Sequence, residues 1–185
     1  PINGVIGMTD LLLNTKLNKE QKDMSNTARE SAQALLTVVN DILDFSRLEG
    51  GKLDIQSVEF LPSKIVSEVA DLLGSQAQKK GLVIDNHTSD KIRSSLQGDP
   101  ARIRQALLNL AGNAVKFTKK GRIFISARLE KKTKSRILVR FSVTDTGIGI
   151  PKSARHRLFQ PFTQVDGSRS RSFGGTGIGL SIASR

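Results

Sequence analysis

Hydrophobic residues change their period just after Gly50-Gly51, and that switch divides the sequence into two kinds of structure. Before it, apolar residues recur every three or four positions. Ile2, Val5, Ile6, Met8 or Thr9, Leu12 and Leu13 mark a first helix over residues 1–16, with Pro1 acceptable at a helix start. Residues 14–18 form a short connector, and Asn18-x-x-Gln21 reads as a capping box that opens a second helix. That helix runs from residue 19 to about residue 48 on Ala28, Ala32, Leu35, Val39, Ile42 and Phe45, and Gly50-Gly51 ends it. Two antiparallel helices cannot bury their apolar stripes alone. A dimer that forms a four-helix bundle can.

After Gly51 short alternating segments and helical segments mix. Residues 52–60 alternate loosely, as a strand would. Residues 62–80 form an amphipathic helix closed by Gly81, and residues 82–86 a short strand. Asp99 and Pro100 are an N-cap and N1 pair for a helix reaching Thr118, and Gly121 ends the turn after it. Residues 122–129 and 136–144 read as a β-hairpin. Ile123, Ile125, Ala127 and Leu129 share one face of its first strand, and Ile137, Val139, Phe141 and Val143 one face of its second. Residues 150–175 are a Gly/Ser/Arg-rich stretch, a length uncommon outside lids and disordered segments. Residues 176–185 begin another helix. The expected architecture is α+β: a helical dimerisation hairpin over 1–50, then an α/β sandwich domain over 52–185 with further structure expected beyond residue 185.

Composition narrows the chemistry. The chain has no cysteine, so disulfides and Cys-based zinc sites are excluded. His87 and His156 are isolated. No apolar run approaches the roughly 18 residues of a membrane span. Net charge is +12, concentrated in residues 122–140 and 152–171. The excess suits solubility, a polyanionic ligand or nucleic acid. Aromatics make up only 4% and are not interleaved with the charges, so nucleic-acid binding is not expected.

The helix before Thr118 carries the most specific pattern. Arg102, Gln105, Asn109, Asn113 and Lys116 fall on one polar stripe. Ile103, Ala106, Leu107, Leu110, Ala114 and Phe117 flank it on one side, Leu108 and Val115 on the other. Asn is a middling helix former that prefers caps and turns. Two Asn one turn apart either bond neighbouring loops or aim amide oxygens at a hard cation such as magnesium.

Three further motifs follow. Asp145-Thr-Gly-Ile-Gly149 directly succeeds a β-branched strand. Its Asp either closes an Asx turn or accepts a ligand proton, while Gly147 and Gly149 permit close approach to the backbone. Phe159 and Phe162 either clamp the base of a lid or pack in the core. Gly174-Gly-Thr-Gly-Ile-Gly179 precedes a helix, either as a hinge or as a phosphate cradle of backbone N–H groups. It is neither a Walker A loop nor a Rossmann fingerprint.

In this order the motifs resemble the ATP-binding domain of the histidine kinases. Residues 109–117 resemble their N box, 145–149 the G1 box, 159–162 the F box and 174–179 the G2 box. Pro1-Ile-Asn-Gly-Val-Ile-Gly-Met and Asn40-Asp-Ile-Leu-Asp-Phe-Ser-Arg-Leu-Glu resemble the two helices of the family's dimerisation and phosphoacceptor domain. The 159–179 stretch is most similar to hybrid sensor kinases, which carry a receiver domain further on. The resemblance implies a two-layer α/β sandwich of the histidine kinase, Hsp90 and gyrase type, with ATP and Mg2+ as cofactors. It implies that Asn113, assisted by Asn109, holds magnesium, and that Lys116 pairs with phosphate. Asp145 accepts from the adenine amino group, and Gly147 and Gly149 give the base room. Gly175, Thr176, Gly177, Gly179 and Leu180, together with Phe159 and Phe162, complete the nucleotide site. The implied partners are a second copy through the hairpin and a response-regulator receiver domain, and the implied compartment is the cytoplasm.

Two departures shape the expectation. The family's acceptor His precedes the Pro that matches Pro1, and neither His87 nor His156 substitutes for it. The related ATPases carry Glu one turn before the Asn as general base, where this chain has Asn109. An amide cannot abstract that proton. Transfer to a protein side chain is therefore favoured over hydrolysis, the alternatives being an ATP-hydrolysing member of the fold and an inactive dimerising module.

Overall fold

The computed structural model describes residues 1–50, 54–134, 136–161, 163 and 177–183. The chain forms two compact units, Pro1–Lys52 and Leu53–Arg185.

The first unit is a helical hairpin of α1 (Ile2–Leu13) and α2 (Lys19–Glu49). The capping box forms: Gln21 N–H donates to Asn18 Oδ1 at 2.8 Å, and Asn18 N–H to Gln21 Oε1 at 3.1 Å. Arg29 pairs with Asp10 across the hairpin at 3.3 Å. Thr9 and Ala32 are buried between the helices, and Ile6, Leu13 and Leu36 half-buried. A second apolar set stays open to solvent. Met8 and Leu11 are 66% and 64% exposed on α1, with Leu35, Val39, Ile42 and Leu43 exposed on α2. Each helix therefore has one stripe for its hairpin mate and another that the hairpin leaves uncovered.

The second unit is a sheet covered by helices. β2 (Leu82–Thr88) runs parallel to β4 (Gly121–Lys132), which pairs antiparallel with β5 (Ile137–Asp145), giving the order β2-β4-β5. β1 (Val58–Phe60) and β3 (Leu96–Gly98) form a separate antiparallel pair. α3 (Pro62–Lys79) and α4 (Pro100–Phe117) pack on the sheet. Ile65, Val69 and Leu73 of α3, Leu107, Ala111 and Val115 of α4, and Ile123, Ile125 and Ala127 of β4 build the core. Alternation on β4 and a 3.6-residue period on the helices place these residues on facing surfaces. Gly81 closes α3 at φ 67. Gly121 starts β4 at φ 118, and any Cβ there would run into Thr146 Oγ1.

Several expectations need correction. Among the described residues of the strand expected over 52–60, Val58–Phe60 alone pair, with the three-residue β3. β2 extends to Thr88 because β4 offers it a parallel partner as far as Ala127. β3 and a 3-10 turn at Asp90–Ile92 are additions that the sequence pattern does not announce. Within 150–175, Lys152–Arg157 forms a 3-10 turn anchored by buried Ala154. Phe117 is 42% exposed, not part of an apolar wall, because it is the last residue of α4.

Candidate functional site

α4 is held at both ends. Asp99 Oδ1 accepts the Arg102 N–H at 3.1 Å, and its Oδ2 accepts the N–H of Gln56 at 3.1 Å. Burial pushes the Asp99 carboxyl up, but hydrogen bonds from the backbone of Arg102, Gln56 and Ala101 outweigh it and hold the group below the ordinary carboxylate range. At the other end Lys80 Nζ, just beyond α3, donates to the carbonyls of Val115 at 2.8 Å and Lys116 at 3.1 Å. A cation on the last carbonyls of a helix satisfies acceptors that have no intrahelical donor and complements the dipole. Arg104 pairs with Glu68 and ties the middle of α4 to α3.

The polar stripe lies between two connections. Asn109 Nδ2 donates to the carbonyl of Gly179 at 3.0 Å. Gly179 opens α5 (Gly179–Ala183), and a Cβ there would press on Asn109 Cγ at 3.1 Å. One turn on, Asn113 is half-buried, and its amide has no hydrogen-bond partner among the described residues. Lys116 is half-buried with its Nζ 4.9 Å from the Phe117 ring centroid, and burial holds its ammonium below the ordinary lysine range.

Beyond the C-terminus of α4 stands the turn after β5. Asp145 is exposed, and its Oδ1 accepts the N–H of Gly147 at 2.8 Å, an Asx turn. Oδ2 is not part of that turn. Both sequence readings of Asp145 are thus compatible: one oxygen shapes the turn and the other can accept from a ligand. A Cβ on Gly147 would lie 2.8 Å from Asp145 Oδ1, 2.8 Å from the Phe117 carbonyl oxygen and 2.9 Å from Thr118 Oγ1. Gly149 adopts φ 68 with open space around it, and Gly177 φ 69. Thr146 ties the turn to β4, its N–H donating to the Arg122 carbonyl at 3.2 Å. Ile148 and Ile150 stand 71% and 52% exposed next to the turn.

One helix therefore abuts both glycine motifs, the α5 start at Asn109 and the Asp145 turn at Thr118. These points lie about 13 Å apart along the helix axis at 1.5 Å per residue. Leu180 is half-buried in α5, whose entry is seated by Ile178, fully buried, and by Ser181, whose hydroxyl donates to the Ile178 carbonyl at 2.7 Å. Phe159 is 54% exposed and does not pack in the core. Phe162, Gly175 and Thr176 lie outside the described residues. Sequence reasoning misses Lys80, Gln56 and Thr118. Only Lys80 leaves a signal, as a basic residue at the end of an expected helix.

Comparison with known proteins decides the family. Residues 1–51 match the His Kinase A (phospho-acceptor) domain, and residues 98–185 the histidine kinase-, DNA gyrase B-, and HSP90-like ATPase family. The solved catalytic domain of the histidine kinase ThkA is 31% identical, covers 69% of this chain and is itself covered to 76%, with a TM-score of 0.55. The chain belongs to the histidine kinases. Among curated histidine kinases, the signal transduction histidine-protein kinase BarA of Escherichia coli is 43% identical over 100% of this chain and 20% of its own length. The sensory/regulatory protein RpfC of Xanthomonas campestris is 41% identical over 99% of this chain and 25% of its own length. The chain thus spans about a fifth to a quarter of these relatives. ShkA, solved at full length in complex with AMPPNP, superposes with a TM-score of 0.77 at 40% identity, over 100% of this chain and 37% of ShkA. The α+β architecture is that of the histidine kinase core. Among the described residues, no helix is long and apolar enough to cross a membrane.

Proposed function

We propose that this chain is the phosphotransfer core of a hybrid-type sensor kinase. Residues 1–50 dimerise through the apolar stripes the hairpin leaves exposed, and residues 52–185 bind Mg-ATP. The carrying observation is the polar stripe of α4, with two asparagines one turn apart and no carboxylate, set between the Asp145 turn and the Gly177–Gly179 entry to α5.

In this reading Asp145 Oδ2 accepts the adenine amino group, with Gly147 and Gly149 leaving room for the ring. Lys116 faces phosphate with a desolvated ammonium. Gly175, Thr176, Gly177, Gly179 and Leu180 close over the triphosphate, with Phe159 and Phe162 at the base of that lid. Asn109, tied to Gly179, positions the lid against α4. Magnesium fits the donor set: Asn113 offers a half-buried, unclaimed amide oxygen, and hard cations take oxygen ligands while keeping waters. When bound, the ion neutralises phosphate charge. The imidazole nitrogen of a histidine on the dimerisation helix attacks the γ-phosphorus, the bond to the bridging β,γ-oxygen breaks, and ADP leaves with that electron pair. The imidazole then sheds its proton. Positioning and charge neutralisation dominate such a transfer. With Asn109 in place of a carboxylate, water is not activated. The phosphoryl group next passes to an aspartate of a receiver domain.

Calorimetric titration with Mg-ATP tests the binding half. Asp145→Asn is expected to weaken affinity about tenfold or more, the scale of one hydrogen bond to a charged group. Equal affinity in the variant refutes the adenine role.

A further inference from the structure

Thr118 caps the C-terminus of α4 with 1% exposure, yet its hydroxyl is the one buried side-chain polar atom without a hydrogen-bond partner among the described residues. A buried hydroxyl with no partner destabilises a fold relative to an apolar group of the same shape. A threonine here therefore calls for a compensating role. Its neighbourhood supplies one. The position that a Cβ would take on Gly147 lies 2.9 Å from Thr118 Oγ1 and 2.8 Å from Asp145 Oδ1. Hydroxyl and carboxylate thus border the same gap, which glycine alone leaves open. Asp145 Oδ1 already accepts the Gly147 N–H and has capacity for a second donor. Among the described residues, the Thr118 hydroxyl is a donor with no acceptor.

We infer that Thr118 is a positioning residue for base recognition: on binding of a 6-aminopurine nucleotide, its hydroxyl closes onto Asp145 Oδ1 and fixes the carboxylate with Oδ2 turned to the exocyclic amino group. The inference rests on the reading of Asp145 given under Proposed function. The free protein holds the hydroxyl short of its acceptor, and the ligand-bound state completes the bond. The same residue therefore lowers the stability of the free fold and raises affinity for the ligand.

These opposite signs separate the inference from a structural role. Thr118→Val keeps the shape and removes the hydroxyl, and Thr118→Ser keeps the hydroxyl. The 185-residue chain and its variants are titrated calorimetrically with Mg-ATP and with an analogue carrying hydrogen in place of the 6-amino group. Melting midpoints are read without nucleotide. Thr118→Val is expected to raise the free midpoint and weaken ATP binding about tenfold. It leaves analogue affinity within about twofold and adds nothing in an Asp145→Asn background. Thr118→Ser binds ATP as the parent does. Unchanged ATP affinity in Thr118→Val, an equal loss for ATP and analogue, or a loss that persists undiminished in Asp145→Asn overturns the inference. If Asp145→Asn weakens ATP and Thr118→Val does not, Thr118 alone is wrongly assigned. If Asp145→Asn binds as the parent does, both readings fall.

Discussion

Gly147→Ala is the perturbation whose consequence follows most directly from the geometry. The added methyl would sit 2.8 Å from two oxygens and 2.9 Å from a third. That is about 0.6 Å inside ordinary non-bonded contact. One of the three, the Phe117 carbonyl, is backbone at the end of α4, where Lys80 secures the two preceding carbonyls. The exposed Asp145 turn has less to hold it, so the turn gives way. Overpacking of this kind costs about 1–3 kcal/mol. Moving the turn also breaks the bond between Gly147 N–H and Asp145, worth about 1.5–3 kcal/mol with a charged acceptor. Because the displaced carboxylate no longer meets the base, Mg-ATP affinity is expected to fall about 10- to 100-fold. Stability should fall by about 2.5 kcal/mol, the low ends of the overpacking and hydrogen-bond ranges together, since an exposed turn relaxes. Calorimetric titration and urea unfolding read the two quantities. Gly112→Ala is the control. It lies inside α4 beside Asn113 with nothing within 4 Å of its Cβ position. It should gain about 0.5–1 kcal/mol from helix propensity and leave affinity unchanged. A Gly147→Ala protein that binds and unfolds like the parent would refute the packing argument.

Two further outcomes concern the ends of α4. Asp99→Ala should lose about 1 kcal/mol with the N-cap. Since the folded carboxyl titrates below its unfolded value, its stabilisation is complete above the unfolded value and is lost as pH falls through the folded one. The stability gap between parent and variant should therefore close on acidification below the ordinary carboxylate range, and a constant gap in urea unfolding would contradict this. Lys80→Met keeps the aliphatic stem and removes the donor to Val115 and Lys116. About 1 kcal/mol should be lost, with faster amide hydrogen exchange in the last turn of α4. Unchanged exchange there would argue against the cap.

What the sequence discloses and what it hides separate by range. The capping box at Asn18 and Gln21, the Asp99-Pro100 helix start and the Gly81 stop are local chemistry, so each is legible in the sequence alone. So is the β4–β5 hairpin, because Ile125, Ala127 and Leu129 alternate with Ser126, Arg128 and Glu130. β3 has only three residues and no alternation to detect, and β1 is a strand only because β3 pairs with it. The polar stripe of α4 announces a site. That Asn109 bonds Gly179, 70 residues on, depends on the packing of α4 against α5. In the sequence Gly147 stands out for closeness to a ligand. The fold adds that it must be small because the end of α4 presses on it. A helical wheel misassigns Phe117 because it treats a helix's last residue like any other. Lys80, Gln56 and Thr118 act through tertiary contacts, which periodicity does not encode.

As proposed, the α4 amides, with no carboxylate among them, direct the γ-phosphoryl group to histidine. The most direct measurement mixes the chain with γ-labelled Mg-ATP and a dimerisation helix carrying the acceptor histidine, then follows label on the helix. Acid-labile, base-stable phosphate is expected to accumulate with the parent chain, little free phosphate to form, and Asn113→Ala to abolish the transfer. Parent-level labelling by Asn113→Ala, or release of the label as inorganic phosphate with none on the helix, would contradict it.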